Sequence, residues 1–360
     1  MKHIFNIITV ITALFVTSCV KESDYVTEVD RDLKANYEAF WNLVNENYCF
    51  LGDNYGYCKM VGGEKLDWNK VREEMMPKVE AATTEEELLD IMGKSIDYLQ
   101  DGHVWIDTKF NHRGCFTFYN KAYPAEELYP TNFIQGLISK EILDYSNRTR
   151  NKHIYGTITR NGKKFFYLHH VEFTRDLTAE DLEMFKPLLD KADGFIYDIR
   201  TNYGGSAQLA FDIAGRFVKE KTLIGYQVLK SGKGYDDLTE PSPLYIVPSS
   251  DGYNWADMKT VVLTNRDVYS TANMFASYMK VVPHATIIGG ITGGGGGDPT
   301  SYYLPNGWTI TMSGHKMSLD VNKVHIEGGV HPDIEVNITS EDIANKYDRI
   351  LEEAIKELSK

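Results

Sequence analysis

Three short stretches of this chain hold residue types that can do covalent chemistry. The first runs Val261-Val262-Leu263-Thr264-Asn265-Arg266-Asp267-Val268-Tyr269-Ser270. An apolar run, a polar break, and then apolar residues at helical spacing (Ala272, Phe275, Ala276, Met279) predict a strand, a turn and a helix. Ser270 falls where the turn meets the helix. Its oxygen can cap that helix by accepting from an N–H of the first turn. Alternatively it can attack a carbonyl carbon, with the unpaired N–H groups of that turn holding the oxyanion that forms.

The second stretch, residues 194–206, is an apolar strand running into a turn with two glycines, Gly204 and Gly205, ahead of a helix through Leu209, Ile213 and Phe217. Adjacent glycines allow positive φ and a close approach of backbone to ligand, and N–H groups ahead of a helix are unpaired. That is half of an oxyanion hole, or simply a tight strand–helix turn. In the third, Asp101-Gly102 is a turn signal and His103 opens a strand. His103 is a candidate base if the fold brings it to Ser270, and otherwise a boundary residue.

Other chemistries lack their residues. The sequence has no GxGxxG, no GxxxxGK[ST] (Gly93-Lys94-Ser95 has Leu88 where the first glycine would stand), no CxxC and no HExxH, so dinucleotide, phosphate-loop, thioredoxin-like and zinc sites are not indicated. No metal and no cofactor are expected. His169 and His170 are neighbours in a predicted strand and point to opposite faces, which suits structural roles better than a shared metal. The net charge of -13 argues against a nucleic-acid partner. The 23 tyrosines suit either a peptide cleft or a glycan-binding surface.

The elements that must position these residues follow from the pattern. Residues 1–18 read as an export signal: Lys2 and His3, an apolar run from Ile4 to Val16, then Val16-Thr17-Ser18-Cys19. Small residues before a cysteine resemble a bacterial lipobox, which implies lipidation of Cys19. Residues 19–30 read as a polar tether, and the location as a cell-envelope lipoprotein of the outer membrane, facing periplasm or surface. Such a compartment permits disulfides, and Cys49 with Cys58 would close a short loop. Residues 31–100 read as a small helical region, with helices from about Asp32 to Tyr48, Asp67 to Val79 and Thr84 to Leu99. Thr84 and Glu87 have capping-box spacing. Residues 101–360 read as the α/β core.

Within that core, strands are expected at Phe116–Tyr119, Phe133–Leu137, Ile154–Thr159, Phe165–His170, Leu223–Leu229 and Ala285–Ile288. Residues 177–189 predict a helix capped by Thr178, 231–250 a loop, and Asn161-Gly162 and Asn306-Gly307 hairpin turns. From Gly289 to Gly297 only Ile291 and Thr292 are not glycine, which reads as a mobile loop beside the site. A last helix is expected from Ser340 or Glu341 to Leu358.

Taken in order, four stretches resemble the C-terminal processing (tail-specific) protease family. They are Asp101-Gly102-His103-Val104, Tyr197-Asp198-Ile199-Arg200-Thr201-Asn202-Tyr203-Gly204-Gly205, Leu263-Thr264-Asn265 with Tyr269-Ser270-Thr271-Ala272-Asn273, and Glu327-Gly328-Gly329-Val330-His331-Pro332-Asp333-Ile334-Glu335-Val336. One branch of that family pairs its serine with a downstream lysine. Here no lysine lies between Lys280 and Lys316. The resemblance is therefore to the tricorn-core-like branch, which implies Ser270 as nucleophile, His103 as base and Glu327 orienting the imidazole. It further implies an oxyanion hole from the N–H of Thr271 and of Gly204 or Gly205.

The implied fold is a crotonase/ClpP-like α/β core of strand-strand-helix units. The implied partner is a peptide or protein substrate. Two departures stand out. Asn273 occupies a position where the family often has glutamate. Only about ninety residues separate His103 from Asp198, too few for the strands, the helix and a complete PDZ module as well. A catalytically silent binding protein for a peptide, glycan or apolar ligand, on the same scaffold, is the alternative.

Overall fold

The computed structural model describes residues 31–56, 65–115, 153–174 and 176–360. The export signal, Cys19, the tether, Cys58 and the strands expected at 116–119 and 133–137 lie outside the described residues.

Helices α1 (Leu33–Asn47), α2 (Trp68–Ala81) and α3 (Glu85–Asp97) come first. Each starts where a side chain can take up an orphan N–H: Asp32, Asp67 and Thr84, the last in a full capping box with Glu87. Each such cap contributes about 1 kcal/mol. The three helices pack Tyr37, Phe40, Trp68, Leu88 and Met92 against strands β1 (Trp105–Asp107) and β11 (Thr309–Leu319), forming one core with them.

Further strands are β2 (His112–Gly114), β3 (Ile154–Arg160), β4 (Lys163–His169), β5 (Gly194–Asp198), β6 (Thr222–Leu229) and β7 (Ser242–Ile246). They continue with β8 (Thr260–Thr264), β9 (Ala285–Gly289), β10 (Gly297–Tyr303) and β12 (Ile334–Glu335). Helices α4 (Ala179–Leu189), α5 (Ala207–Ala214), α6 (Thr271–Met279), α7 (Ser340–Asn345) and α8 (Arg349–Ser359) complete the described elements.

The strands form two sheets. One has the order β2-β1-β11-β6-β7, with β10 also on β11. The other has the order β12-β9-β8-β5-β4-β3, and β4, β5, β8, β9 and β12 in it are parallel. Its central strands β5 and β8 are buried on both faces. Phe166, Phe195, Tyr197 and Val262 join the core under α4, α5 and α6, while Phe165, Ile196, Val261 and Leu263 pack on α8. Continuous apolar strands such as Val261-Val262-Leu263 are the sequence mark of that arrangement. The α/β architecture expected from the resemblance is the one observed.

Arg200 locks α8 to this sheet. Its guanidinium donates to Asp198 and, through Nη1 and Nη2, to Asp348, both at 2.8 Å. Asp348 also caps α8 by accepting from Leu351 N–H, and Tyr167 O–H donates to Asp198 at 2.7 Å. All of this is buried.

Three expectations need correction. Residues 231–250 are not all loop, because β7 lies within them at a sheet edge, where Pro243 needs no ladder donor. The single C-terminal helix is two, broken where Lys346 turns left-handed at φ 54°. The glycine run is not a free loop. Gly290 N–H donates to Thr264 O, Gly293 N–H to Val268 O, and Gly294 O accepts from Ser270 N–H. Its glycines let backbone meet backbone: a Cβ on Gly294 would stand 1.9 Å from Glu327 O. Cys49 and Cys115 are buried free thiols.

Candidate active site

Ser270 has φ 56° and ψ -126°, and its side chain makes no capping hydrogen bond. Of the two uses open to this serine, capping is therefore the one it does not have. A non-glycine residue at positive φ costs on the order of 1–3 kcal/mol and persists only where neighbours impose it. The neighbours here are explicit. Tyr269 N–H donates to Asn202 O at 3.1 Å and Ser270 N–H to Gly294 O at 2.9 Å. Thr271 Oγ1 donates to Gly205 O at 2.7 Å. Gly204 sits against the turn so closely that a Cβ there would fall 2.8 Å from Ser270 Cβ. The turn, which follows β8, is thus sewn to the glycine loops that follow β5 and β9, all at the carboxyl end of the parallel sheet, where ligands bind.

The base comes from the other sheet. His103 precedes β1, is buried, and places Nε2 3.0 Å from Ser270 Oγ. The two residues are 167 positions apart in sequence. Burial lowers the imidazole below its ordinary value of 6.5, against the pull of Asp101, Asp298 and the Gly297 backbone. Near neutrality the ring is thus uncharged, as a proton acceptor must be. Its Nδ1 is buried and makes no hydrogen bond of ordinary geometry among the described residues.

Glu327 does not touch His103. Its Oε2 accepts from Gly296 N–H at 2.7 Å and Gly297 N–H at 3.2 Å. The orienting role implied for it can therefore act only through that backbone, which also faces the imidazole. Burial, and then the nearby Asp101, push the Glu327 carboxyl well above its ordinary value; the amides of Gly295, Gly296 and Gly297 pull it back.

For the oxyanion hole the structure separates the two glycines. Gly204 N–H is already donated to Asn202 Oδ1 at 2.9 Å. The N–H groups of Gly205 and Thr271 have no partner among the described residues.

Sequence reasoning gave Asp101 no role of its own: it was read as a turn signal and as part of the stretch that carries His103. Its carboxylate accepts from His103 N–H, Tyr269 O–H, Tyr48 O–H and Ser313 O–H. Asn273 does make a different supporting contact. Its amide donates to Ile326 O at 3.0 Å and its oxygen accepts from Thr292 Oγ1 at 2.6 Å, tying α6 to the residue before Glu327 and to the glycine run. His169 donates through Nε2 to Arg200 O and His170 Nδ1 bonds Tyr197 O–H, both inside the core. Among the described residues no three His, Cys, Asp or Glu gather to hold a metal.

The profile of peptidase family S41 matches residues 164–336, and that of the tricorn protease C1 domain matches residues 30–96. A crystal structure of a Parabacteroides merdae protein assigned as a peptidase is 33% identical, with 91% of this chain and 97% of that one covered and a TM-score of 0.79. The chain belongs to peptidase family S41.

A carboxyl-terminal-processing protease of Picosynechococcus sp. is 26% identical over 179 residues, which is 48% of this chain and 39% of that protein. The chain thus matches about two fifths of the length of that curated relative. The structure of mature CPAF shares the fold at a TM-score of 0.66 and 12% identity, covering 91% of this chain and 96% of that one. Ser270, Gly205 and Glu327 lie inside the S41 match, whereas His103 lies outside both matched ranges. The 3.0 Å contact with Ser270, and not either profile, joins His103 to the rest.

Proposed function

We propose that this S41 member is a serine endopeptidase that cleaves peptides or unfolded protein segments through an acyl-enzyme. The observation that carries the reading is the 3.0 Å approach of His103 Nε2 to Ser270 Oγ, across two sheets, onto a serine held at positive φ. A nucleophile at a strained strand–helix turn beside a buried neutral imidazole is the arrangement acyl transfer needs.

In the proposed reaction Ser270 Oγ attacks the scissile carbonyl while His103 Nε2 takes its proton. The N–H groups of Thr271 and Gly205 receive the oxyanion. His103 then gives the proton to the leaving amine, and water, deprotonated by the same ring, releases the acid. Glu327 is proposed to hold the Gly296–Gly297 backbone against the imidazole. The lipidation of Cys19 and the location in the cell envelope remain part of this proposal, supported by the Val16-Thr17-Ser18-Cys19 sequence.

The test is hydrolysis of a library of quenched fluorescent peptides by the purified full chain. Turnover that disappears in Ser270→Ala supports the reading. Turnover equal in both proteins, or none by a folded wild type that still binds a peptide, would replace it with the binding-protein alternative.

A further inference from the structure

The site contains a second buried carboxylate that neither the proposed triad nor the family match uses. Asp101 is fully buried in the turn between α3 and β1. Oδ1 accepts from the backbone N–H of His103 at 2.7 Å and from Tyr269 O–H at 3.2 Å. Oδ2 accepts from Tyr48 O–H at 3.1 Å and Ser313 O–H at 2.7 Å. Four donors on two oxygens, all of them neutral, are the partners of an ionised carboxylate, which can only accept. The donors come from α1's end, from β11, from the nucleophile turn and from the histidine itself. One of them, Tyr269, is the residue before Ser270, and its ring lies against the His103 ring with centroids 4.9 Å apart. Asp101 therefore touches the backbone of the base and the neighbour of the nucleophile at once.

Resting on the peptidase reading, we propose that Asp101 is the positioning residue of the site, a fixed buried anion that sets His103 against Ser270 and offsets the imidazolium formed when Ser270 gives up its proton. Such a charge acts more in the transition state than in the ground state, so it raises kcat more than it lowers KM. The groups facing the ring are Asp101 from the turn before β1, Asp298 from β10, Tyr269 from the nucleophile turn and the Gly297 backbone. Glu327 stands behind that backbone. Asp298 is half exposed and lies near Lys316, so its field is screened. Asp101 is the shielded anion of the set.

The experiment is kcat and KM for Asp101→Asn against wild type, in the full chain, from pH 4 to 9. Asparagine keeps the shape and one acceptor, and the hydroxyls of Tyr48 and Ser313 can turn to accept from its amide. The expected result is a kcat lower by roughly 10–100-fold with little change in KM, a part of the ~10²–10⁴ that a positioned base contributes. The acid limb also moves to lower pH, because the ring has lost an anion that favoured its charged form.

An unchanged kcat with an unchanged acid limb would overturn the proposal, and a lower melting temperature with the same limb would reduce Asp101 to a packing residue. If Asp101→Asn does not fold, the double variant Tyr48→Phe/Ser313→Ala decides. It should lose several-fold in kcat at constant KM, and no loss overturns the proposal. A wild type with no turnover at all would instead sink the peptidase reading itself.

Discussion

Two pairs of buried acids in this protein are handled in opposite ways. Asp198 and Asp348 share the Arg200 guanidinium, so their charges are met in the resting fold, and the cluster fastens α8 to the parallel sheet. Asp101 and Glu327 receive only hydroxyl and backbone N–H donors. Asp101 lies beside His103, which is neutral at rest and acquires a proton only during the proposed reaction. One pair is compensated permanently and holds structure. On the proposed mechanism the other meets its charge only when His103 takes up a proton. A buried carboxylate without a basic partner, beside a buried histidine, is by this contrast a candidate for a working site rather than a clamp.

The comparison can be broken from either side. Ser270→Ala or His103→Ala should reduce turnover by about 10⁴–10⁶-fold while leaving the melting temperature nearly unchanged, read by peptide hydrolysis and calorimetry. Arg200→Met should do the reverse to the clamp. It strands two buried carboxylates and costs about 3–5 kcal/mol in urea unfolding, and any loss of activity should follow the loss of fold.

Asp198 and Glu327, one acid from each pair, should also answer pH with opposite signs. Burial alone would raise Asp198, but Arg200, His169 and Tyr167 outweigh it and hold the carboxyl below its ordinary 3.8. Its contribution to stability is therefore complete above 3.8 and is lost as pH falls through the lower folded value. Glu327 is raised above 4.5, so the folded state binds its proton more tightly than the unfolded chain does. Its contribution is complete below 4.5 and is lost as pH rises through the folded value. Glu327→Gln should flatten the alkaline side of the stability profile and leave the acid side unchanged. In wild type the acid limb of kcat/KM should have its midpoint below 6.5, because His103 is lowered by burial. The smallest effect concerns strain: Ser270→Gly should be more stable than Ser270→Ala by about 1 kcal/mol, since glycine takes φ 56° without penalty.

How legible this was depended on sequence distance. Local rules were enough for the capping boxes at Thr84 and Thr178 and for the hairpin at Asn161-Gly162, where both residues have positive φ. The ordered motifs were enough to bring Ser270, His103 and the two glycines into one hypothesis. They could not say that Ser270 would sit at φ 56° instead of capping α6, because a serine before a helix satisfies both patterns.

Asp101 was hidden because its partners Tyr48 and Ser313 are 53 and 212 residues away, and no spacing rule joins them. The glycine run was read as mobile because composition reports the freedom of an isolated chain. Here that freedom lets the run pack as backbone between Ser270 and Glu327. Edge strand β7 was masked by prolines that an edge tolerates.

The central claim is that Ser270 is a nucleophile activated by His103, and the most direct measurement is labelling with a fluorophosphonate serine-hydrolase probe. The wild-type chain should be labelled at Ser270, and Ser270→Ala and His103→Ala should not. A folded wild type that stays unlabelled, or a His103→Ala variant labelled as fast as wild type, would contradict the account.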